Sequence, residues 1–201
     1  MIQTFKSWQA RRQLRDPQFQ FLFAKPAPNE WVSIDCETTS LNPKQAEILS
    51  IAAVIIRGNT ILKSSSQQWL VKPSGAIDPK TIPIHGLRAQ DVAHGLTLHD
   101  ALTQLLYFIG SRPIVGYYLE FDLAVINRQL KPWLGIALPN RAIEVSGLYY
   151  DKKVSAYRPD VDLSLDSMLT ELDIPRLARH DPLNDAITAA LMFLKLKGQH
   201  N

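Results

Sequence analysis

Two carboxylates inside an apolar strand pattern constrain this chain more than any other feature of its sequence. Residues 31–39 read Trp-Val-Ser-Ile-Asp-Cys-Glu-Thr-Thr. Successive side chains of a strand point to opposite faces, so Asp35 and Glu37 share one face, and Cys36 falls with its apolar neighbours on the other. Two ionised carboxylates about 7 Å apart resist burial unless a positive charge compensates them. A hard divalent cation would supply that charge; the alternative is a strand end with two solvated acids.

Length and composition predict one well-packed domain with an N-terminal extension. The chain has 201 residues, of which 46% are hydrophobic, which suits one core better than two. The longest apolar stretch, Ile48 to Ile56, is far shorter than the roughly 20 residues of a membrane span, and the basic N-terminus lacks the apolar core of a secretory signal. A single cysteine excludes an internal disulfide and a thiolate zinc site. We therefore expect a cytoplasmic protein without membrane association.

The basic excess is concentrated in residues 1–30, which we interpret as a helical arm followed by a linker. These residues carry five Lys or Arg against two acids, a net charge of +3, whereas residues 31–201 carry 17 of each sign. Lys25-Pro-Ala-Pro-Asn29 is typical of a linker, so the domain would span residues 31–201. The arm could contact nucleic acid or an acidic protein partner, or it could simply pack on the domain.

The order of the predicted elements indicates an α/β fold. An isoleucine-rich run from Glu47 to Arg57 and an extended pattern from Thr60 to Lys72 flank Gly58-Asn59, a hairpin dipeptide. Pro113–Gly116 is a further short apolar strand. Helical spacing of apolar residues marks four segments, at about 98–109, 119–130, 163–172 and 182–197. Early strands followed by alternating strand and helix predict a mixed sheet with helices on both faces.

A third acid, Asp122, lies early in the helix that is predicted to start near Leu119. Its neighbours one turn further on are Val125 and Ile126, so the carboxylate stands at the edge of an apolar stripe. It is either an ordinary first-turn aspartate that complements the helix dipole or a functional group.

The segment His180-Asp-Pro-Leu-Asn-Asp185 predicts a helix start with polar chemistry. Asp181 is a good N-cap and Pro182 a good first helical residue. His180 then precedes the cap and Asp185 is the fourth helical residue, and these two positions contact each other in a hydrophobic staple. We expect the imidazole and the carboxylate to meet there, directly or through a ligand; the alternative is a surface His-Asp pair.

Four acids and one histidine in this pattern suit phosphodiester hydrolysis. The acids supply oxygen ligands for two Mg²⁺ or Mn²⁺ ions, which can stabilise both the attacking and the leaving oxygen of a phosphodiester displacement. A histidine titrates near neutrality and can take the proton of the attacking water. The set comprises Asp35, Glu37, Asp122, Asp185 and His180.

These residues resemble the DEDDh family of 3'-to-5' exonucleases, which includes the proofreading exonucleases of replicative polymerases, RNase T and oligoribonuclease. The likeness runs from about Trp31 to Leu194 and rests on the order and spacing of short matches. The matches are Asp35-Cys-Glu-Thr-Thr39, Ile84-His-Gly-Leu87, Glu120-Phe-Asp122, and the Leu163–Leu169 helix preceding His180–Asp185. The resemblance implies a ribonuclease H-like fold, with a five-stranded mixed sheet and helices on both faces.

The resemblance also implies a metal-binding role for each acid. Asp35 would bridge two metal ions. Glu37 and Asp185 would bind the tighter ion, and Asp122 would be a more distant, water-mediated ligand.

The remaining site residues would serve proton transfer and substrate contact. By the same resemblance His180 is the general base, and the backbone at Thr38 and Thr39 meets the terminal 3'-hydroxyl, so that cleavage starts from an end. Tyr117 and Tyr118 stand where the family usually has His-Asn. Tyrosines at these positions could stack on bases in a single-strand groove or pack half-buried in the domain.

We therefore expect a metal-dependent exonuclease that releases 5'-mononucleotides from the 3' end of single-stranded nucleic acid, with DNA slightly favoured. An enzyme that trims RNA or oligoribonucleotides is the alternative within the same class. A polymerase-associated binding subunit is the alternative from another class, in which the basic arm docks a DNA polymerase or another protein. Glu144-Val145, where the family often has Asp-Thr, is a second departure near the expected substrate path.

Overall fold

A computed structural model of the chain describes residues 2–75, 77, 82, 86–154, 160–178 and 180–198, with the side chains of residues 2–7 excepted. Ile84 and His85 of the predicted Ile-His-Gly-Leu motif lie outside the described residues. The strands are β1 (Glu30–Thr38), β2 (Ile48–Arg57), β3 (Thr60–Ile61), β4 (Gln67–Leu70), β5 (Ile114–Gly116) and β6 (Ala142–Glu144). The α-helices are α1 (Ile2–Gln13), α2 (Ala89–Val92), α3 (Leu98–Ile109), α4 (Leu119–Leu134), α5 (Val145–Lys153), α6 (Leu165–Glu171) and α7 (Pro182–Gly198).

The described strands form one mixed sheet in the order β3-β2-β1-β5-β6. β1 pairs antiparallel with β2 and parallel with β5, and β5 pairs parallel with β6. β3 and β4 pair with different parts of one edge of β2, because a 3-10 turn at Lys63–Ser65 divides the extended segment predicted at Thr60 to Lys72. The described sheet therefore has six strands in five positions, because β3 and β4 share one edge of β2. The predicted mixed sheet is confirmed, with one strand more than the five expected.

Helices cover both faces of the sheet, and each face has its own buried cluster. On one face Val32 and Ile34 of β1 belong to a cluster with α3 and α4. On the other face Val54 and Val115 belong to a cluster with α5, α6 and α7. Because α7 contacts β1 on the face that carries Asp35, β1 lies between α4 and α7.

The helix boundaries follow the sequence signals except near prolines and short strands. The Thr97 hydroxyl accepts a hydrogen bond from the Asp100 N–H and caps α3, which begins at Leu98 as predicted. α4 continues four residues beyond the predicted end and includes Pro132, and it ends at Gly135, whose φ of +76° suits a helix terminus. β6 was missed because only Ile143 of its three residues is buried, so it lacks the apolar run that identified β5. α5 was missed because only Val145 and Tyr149 of its residues are buried, which gives a weak helical pattern.

The N-terminal segment differs from the arm and linker that we predicted for residues 1–30. α1 and the stretch before β1 fit that description, but Pro17–Phe23 forms a 3-10 helix whose Phe19 is fully buried. The Phe19 ring packs edge-on against Trp133 with 5.2 Å between centroids, and the Arg15 N–H donates to Leu134 O at 3.0 Å. Residues 15–23 are thus part of the folded core, because their apolar side chains complete the packing beside α4. In the described part of the chain no helix is long and apolar enough to cross a membrane.

Candidate active site

The structure brings almost all of the predicted site residues to one cleft at the end of β1. The first turns of α4 and α7 approach this strand end from opposite faces of the sheet. Among the described residues, Thr39 is the predicted member that does not line the cleft. Those that do are Asp35, Glu37, Thr38, Tyr117, Tyr118, Asp122, His180 and Asp185.

Three carboxylates converge in this cleft. Asp35 and Glu37 of β1 and Asp185 of α7 each offer an oxygen, and these oxygens all lie within 4.8 Å of one another. Burial raises the pKa of Asp35 well above its usual range, and the charges of nearby acids add to the effect. Burial, followed by the charges of Asp185 and Asp181, raises the pKa of Glu37 to about 8. Such a set of hard oxygen donors, costly to ionise together, fits a divalent cation such as Mg²⁺ or Mn²⁺.

Asp122 reaches the same strand end from the α4 side. N–H groups of alternate residues in a strand point to the same edge, and the Val32 N–H donates to Pro113 O on the β5 side. β5 ends at Gly116, so the Cys36 N–H points past the end of that strand. Asp122 accepts hydrogen bonds from this backbone group and from the Cys36 thiol. Asp122 is only 5% exposed, and burial raises its pKa to about 8 against the opposing effect of those bonds.

Cys36 therefore has a second contact that its strand position did not reveal. As predicted, it belongs to the apolar cluster with Ile34. Its thiol also donates to the Asp122 carboxylate, so the residue between the two acids of β1 contacts a third acid.

The backbone of His180 binds Asp185 at the start of α7. Asp181 caps α7 as predicted, with its Oδ1 accepting from the Asn184 N–H at 3.0 Å. A contact between the imidazole and Asp185 through a ligand stays a prediction, but the Asp185 Oδ2 accepts a hydrogen bond from the backbone N–H of His180 at 3.0 Å, which the sequence did not predict. The reason is a left-handed backbone at His180, with φ of +60°. This conformation turns the N–H toward Asp185 and leaves the exposed ring lining the cleft.

The two threonines after Glu37 are held differently. Thr38 is buried, lines the cleft and donates its hydroxyl to Ser40 O at 2.9 Å. The Thr39 N–H donates to Glu47 O at 2.9 Å, and its hydroxyl accepts from the Glu47 N–H. Thr39 therefore closes the loop between β1 and β2, and its N–H is hydrogen-bonded to Glu47.

The two tyrosines also have different environments. Tyr117 is half-buried, and its hydroxyl donates to Leu163 O at 3.1 Å. Tyr118 is 74% exposed and has a left-handed backbone, with φ of +57°, immediately before α4. Only the second tyrosine thus presents most of its ring to solvent at the cleft.

A family model described as "Exonuclease" (RNase_T) matches residues 32–193. The match covers most of the chain and spans all four acids and His180. The chain belongs to the exonuclease family. The predicted resemblance and enzyme class are thereby confirmed at the level of the family.

Relatives of this exonuclease domain include bacterial DNA polymerase III proteins. The PolC-type DNA polymerase III of Thermotoga maritima is 29% identical over 166 residues, which cover 82% of this chain and 12% of that protein. The DNA polymerase III subunit epsilon of Aquifex aeolicus is 26% identical over 166 residues, which cover 83% of this chain and 79% of that protein. The chain therefore spans only a small part of the PolC-type relatives that it matches.

Solved exonuclease structures share the fold. Exonuclease X in complex with 5' overhanging duplex DNA superposes with a TM-score of 0.66 at 22% identity, over 85% of this chain and 92% of that one. A zinc-bound complex of E. coli exonuclease I with single-stranded DNA gives a TM-score of 0.72 at 15% identity, over 87% and 41% of the two chains. These likenesses confirm the ribonuclease H-like α/β fold.

Several residues that line the cleft of this exonuclease domain were not predicted. Phe121 lies inside the Glu120-Phe-Asp122 motif, so its neighbours could have indicated it. Leu41 is 76% exposed in the loop after β1, and no periodicity marks an exposed leucine in a loop. The other unpredicted lining residues are Cys36, Leu165, Thr188 and Ala189.

Proposed function

We propose that this domain is a metal-dependent 3'-to-5' exonuclease that releases 5'-mononucleotides from single-stranded nucleic acid, with DNA slightly favoured. The observation that carries the proposal is the convergence of the Asp35, Glu37 and Asp185 oxygens within 4.8 Å, in a cleft that His180 also lines. The preference for DNA draws on relatives named as DNA polymerase III proteins and on a structural neighbour that was solved with DNA.

The acids would hold two Mg²⁺ or Mn²⁺ ions. Asp35, Glu37 and Asp185 form the close cluster, and Asp35 is the member whose pKa responds to charges on all sides, as suits a bridging ligand. Asp122 stands apart on the α4 side and would contribute at longer range. Bound divalent cations supply charge compensation for the carboxylates and Lewis acidity toward phosphate oxygens.

Side chains of this domain would carry out the proton transfer and contact the substrate. An imidazole nitrogen of His180 accepts a proton from the attacking water, and the water oxygen forms a bond to phosphorus. The bond between phosphorus and the 3'-oxygen breaks, the 3'-oxygen takes up a proton from solvent, and a 5'-mononucleotide leaves. The backbone hydrogen bond from His180 to Asp185 orients the segment that carries the ring. Thr38 borders the position of the terminal nucleotide, and the exposed Tyr118 ring offers a base about 1 to 3 kcal/mol of stacking.

Trimming of labelled oligonucleotides tests this function. Matched single-stranded DNA and RNA oligomers with a 5' label should be shortened stepwise from the 3' end in Mg²⁺ or Mn²⁺, faster for DNA. An Asp185→Asn variant should be inactive under the same conditions. The proposal fails if neither oligomer is trimmed while calorimetry confirms that the metal is bound, and faster RNA trimming would make RNA the substrate.

A docking role for α1 is the second candidate, and it is compatible with nuclease activity. Trp8 is 53% exposed, and the Arg12 guanidinium lies 4.7 Å from its ring centroid, so α1 presents aromatic and basic groups. The similarity to a DNA polymerase III subunit suggests a polymerase as partner. Deleting residues 1–13 removes α1 and spares the buried Phe19. Unchanged trimming with lost polymerase binding would support docking, and retained binding would exclude it.

A further inference from the structure

We infer that Glu144 is a positioning residue that holds the first turn of α4, and with it Asp122 and Tyr118, in the working geometry of the site. This inference rests on the proposed function for its kinetic consequences. The structural role of Glu144 is inferred from its own hydrogen bonds and does not depend on that function.

The Glu144 carboxylate joins the starts of two helices. Its Oε1 accepts from the Tyr118 N–H at 3.1 Å and its Oε2 from the Leu119 N–H at 2.7 Å. The same Oε1 accepts from the N–H and the hydroxyl of Ser146, at 3.1 and 2.8 Å. One side chain at the end of β6 therefore ties α4 and α5 to the sheet.

α4 depends on this carboxylate because the side chain of its own N-cap residue accepts no hydrogen bond from the helix. Within the described residues, the side chain of Tyr118 makes no capping hydrogen bond to the helix, although helix starts ordinarily need such acceptors for their first N–H groups. Glu144 accepts from two of these groups and brings a negative charge to the positive end of the helix dipole. It thus replaces a local cap with one from a neighbouring strand.

The residues fixed by this contact are the ones that face the cleft. Tyr118 holds its left-handed backbone, with φ of +57°, while its N–H is bound to Glu144. Asp122 follows in the opening turn of the same helix. Glu144 lines the adjoining groove together with Tyr118 and Phe121, and both of these residues also line the cleft. A shift of the α4 start would therefore move a proposed metal ligand and an aromatic contact at once.

Two measurements on a Glu144→Gln variant test the inference. The amide side chain keeps its size but loses the charge and one acceptor oxygen. We expect amide hydrogen exchange of residues 118–122 to become about 10-fold faster, and kcat for oligonucleotide trimming to fall about 10- to 100-fold. Mn²⁺ affinity at the cluster of Asp35, Glu37 and Asp185 should change less than about 2-fold.

Two control variants separate positioning from general stability. Glu30 accepts hydrogen bonds from Arg57 and Arg112 at the opposite end of β1, so Glu30→Gln should lower the Tm without changing kcat or exchange at residues 118–122. Ser146→Ala removes a bond to the same carboxylate but on the α5 side, and it should leave kcat near the starting value.

The outcomes are distinct. Unchanged kcat and unchanged exchange in Glu144→Gln, measured well below its Tm, would overturn the inference, as would an equal loss of kcat in Glu30→Gln. If Glu144→Gln does not fold, Glu144→Asp, which keeps the charge on a shorter side chain, is subjected to the same two measurements and the same criteria. If the unmodified chain trims no oligonucleotide, the proposed function fails, while the exchange measurement still decides whether Glu144 holds the α4 start.

Discussion

At the scale of single residues, both burial and the neighbouring acids oppose the ionisation of Asp35. It lies within 4.8 Å of two other carboxylates, and burial already opposes its charge. Asp35→Ala should abolish trimming and Mn²⁺ binding, yet leave the metal-free Tm unchanged or higher, because it relieves repulsion. Calorimetry and thermal melts without metal measure both effects. A collapse of the metal-free Tm would instead assign Asp35 a structural role.

His180 contributes to the proposed site through an exposed ring on a fixed backbone. His180→Ala removes the imidazole, whereas the backbone N–H that Asp185 accepts is retained. Turnover should fall about 10²-fold or more, the scale of losing a general base, with Mn²⁺ affinity and Tm close to those of the unmodified chain. Single-turnover kinetics provide the measurement, and an unchanged rate would reassign the base.

At the scale of elements, the turn between β5 and α4 leaves little room for a side chain at Gly116. A Cβ at Gly116 would lie 2.9 Å from Leu119 Cδ1 and 3.1 Å from Leu119 Cβ. Because Leu119 is buried at the start of α4, Gly116→Ala should displace that start and lower the free energy of unfolding by about 1–3 kcal/mol. Gly147, in α5, is the matched control because its added Cβ would meet nothing nearer than 4.0 Å. Gly147→Ala should be neutral or stabilising by up to about 1 kcal/mol. Equal denaturant midpoints for the two variants would contradict this difference.

Most of the elements and the membership of the cleft were predictable, because each has a local signal. Alternation identified the acids of β1. The cap and the proline at the start of α7 predicted where His180 and Asp185 lie relative to that helix. Contacts between distant segments were not predictable: the burial of Phe19 and the capping of α4 by Glu144 depend on tertiary packing. The hydrogen bond from the His180 backbone to Asp185 was not predictable either, since a positive φ at His180 leaves no mark in the sequence.

At the scale of the whole molecule, the buried acids predict a pH dependence of stability without metal. The pKa of Glu37 is raised from 4.5 to about 8 and that of Asp122 from 3.8 to about 8. The folded state thus binds more protons than the unfolded state between these values, so the free energy of unfolding falls as the pH rises from about 4 to 8. Mn²⁺ should offset this loss and raise the Tm more at pH 8 than at pH 5. A metal-free Tm that rises across this range would contradict the prediction.

We propose that the carboxylates at the end of β1 form a divalent metal site where a nucleotide binds. A crystal structure with Mn²⁺ and a 5'-mononucleotide, with the metal located by anomalous scattering, tests it most directly. We expect manganese bound by Asp35, Glu37 and Asp185, with the nucleotide phosphate beside it and the His180 ring facing that phosphate. Manganese bound elsewhere, or a nucleotide that binds outside this cleft, would contradict the claim.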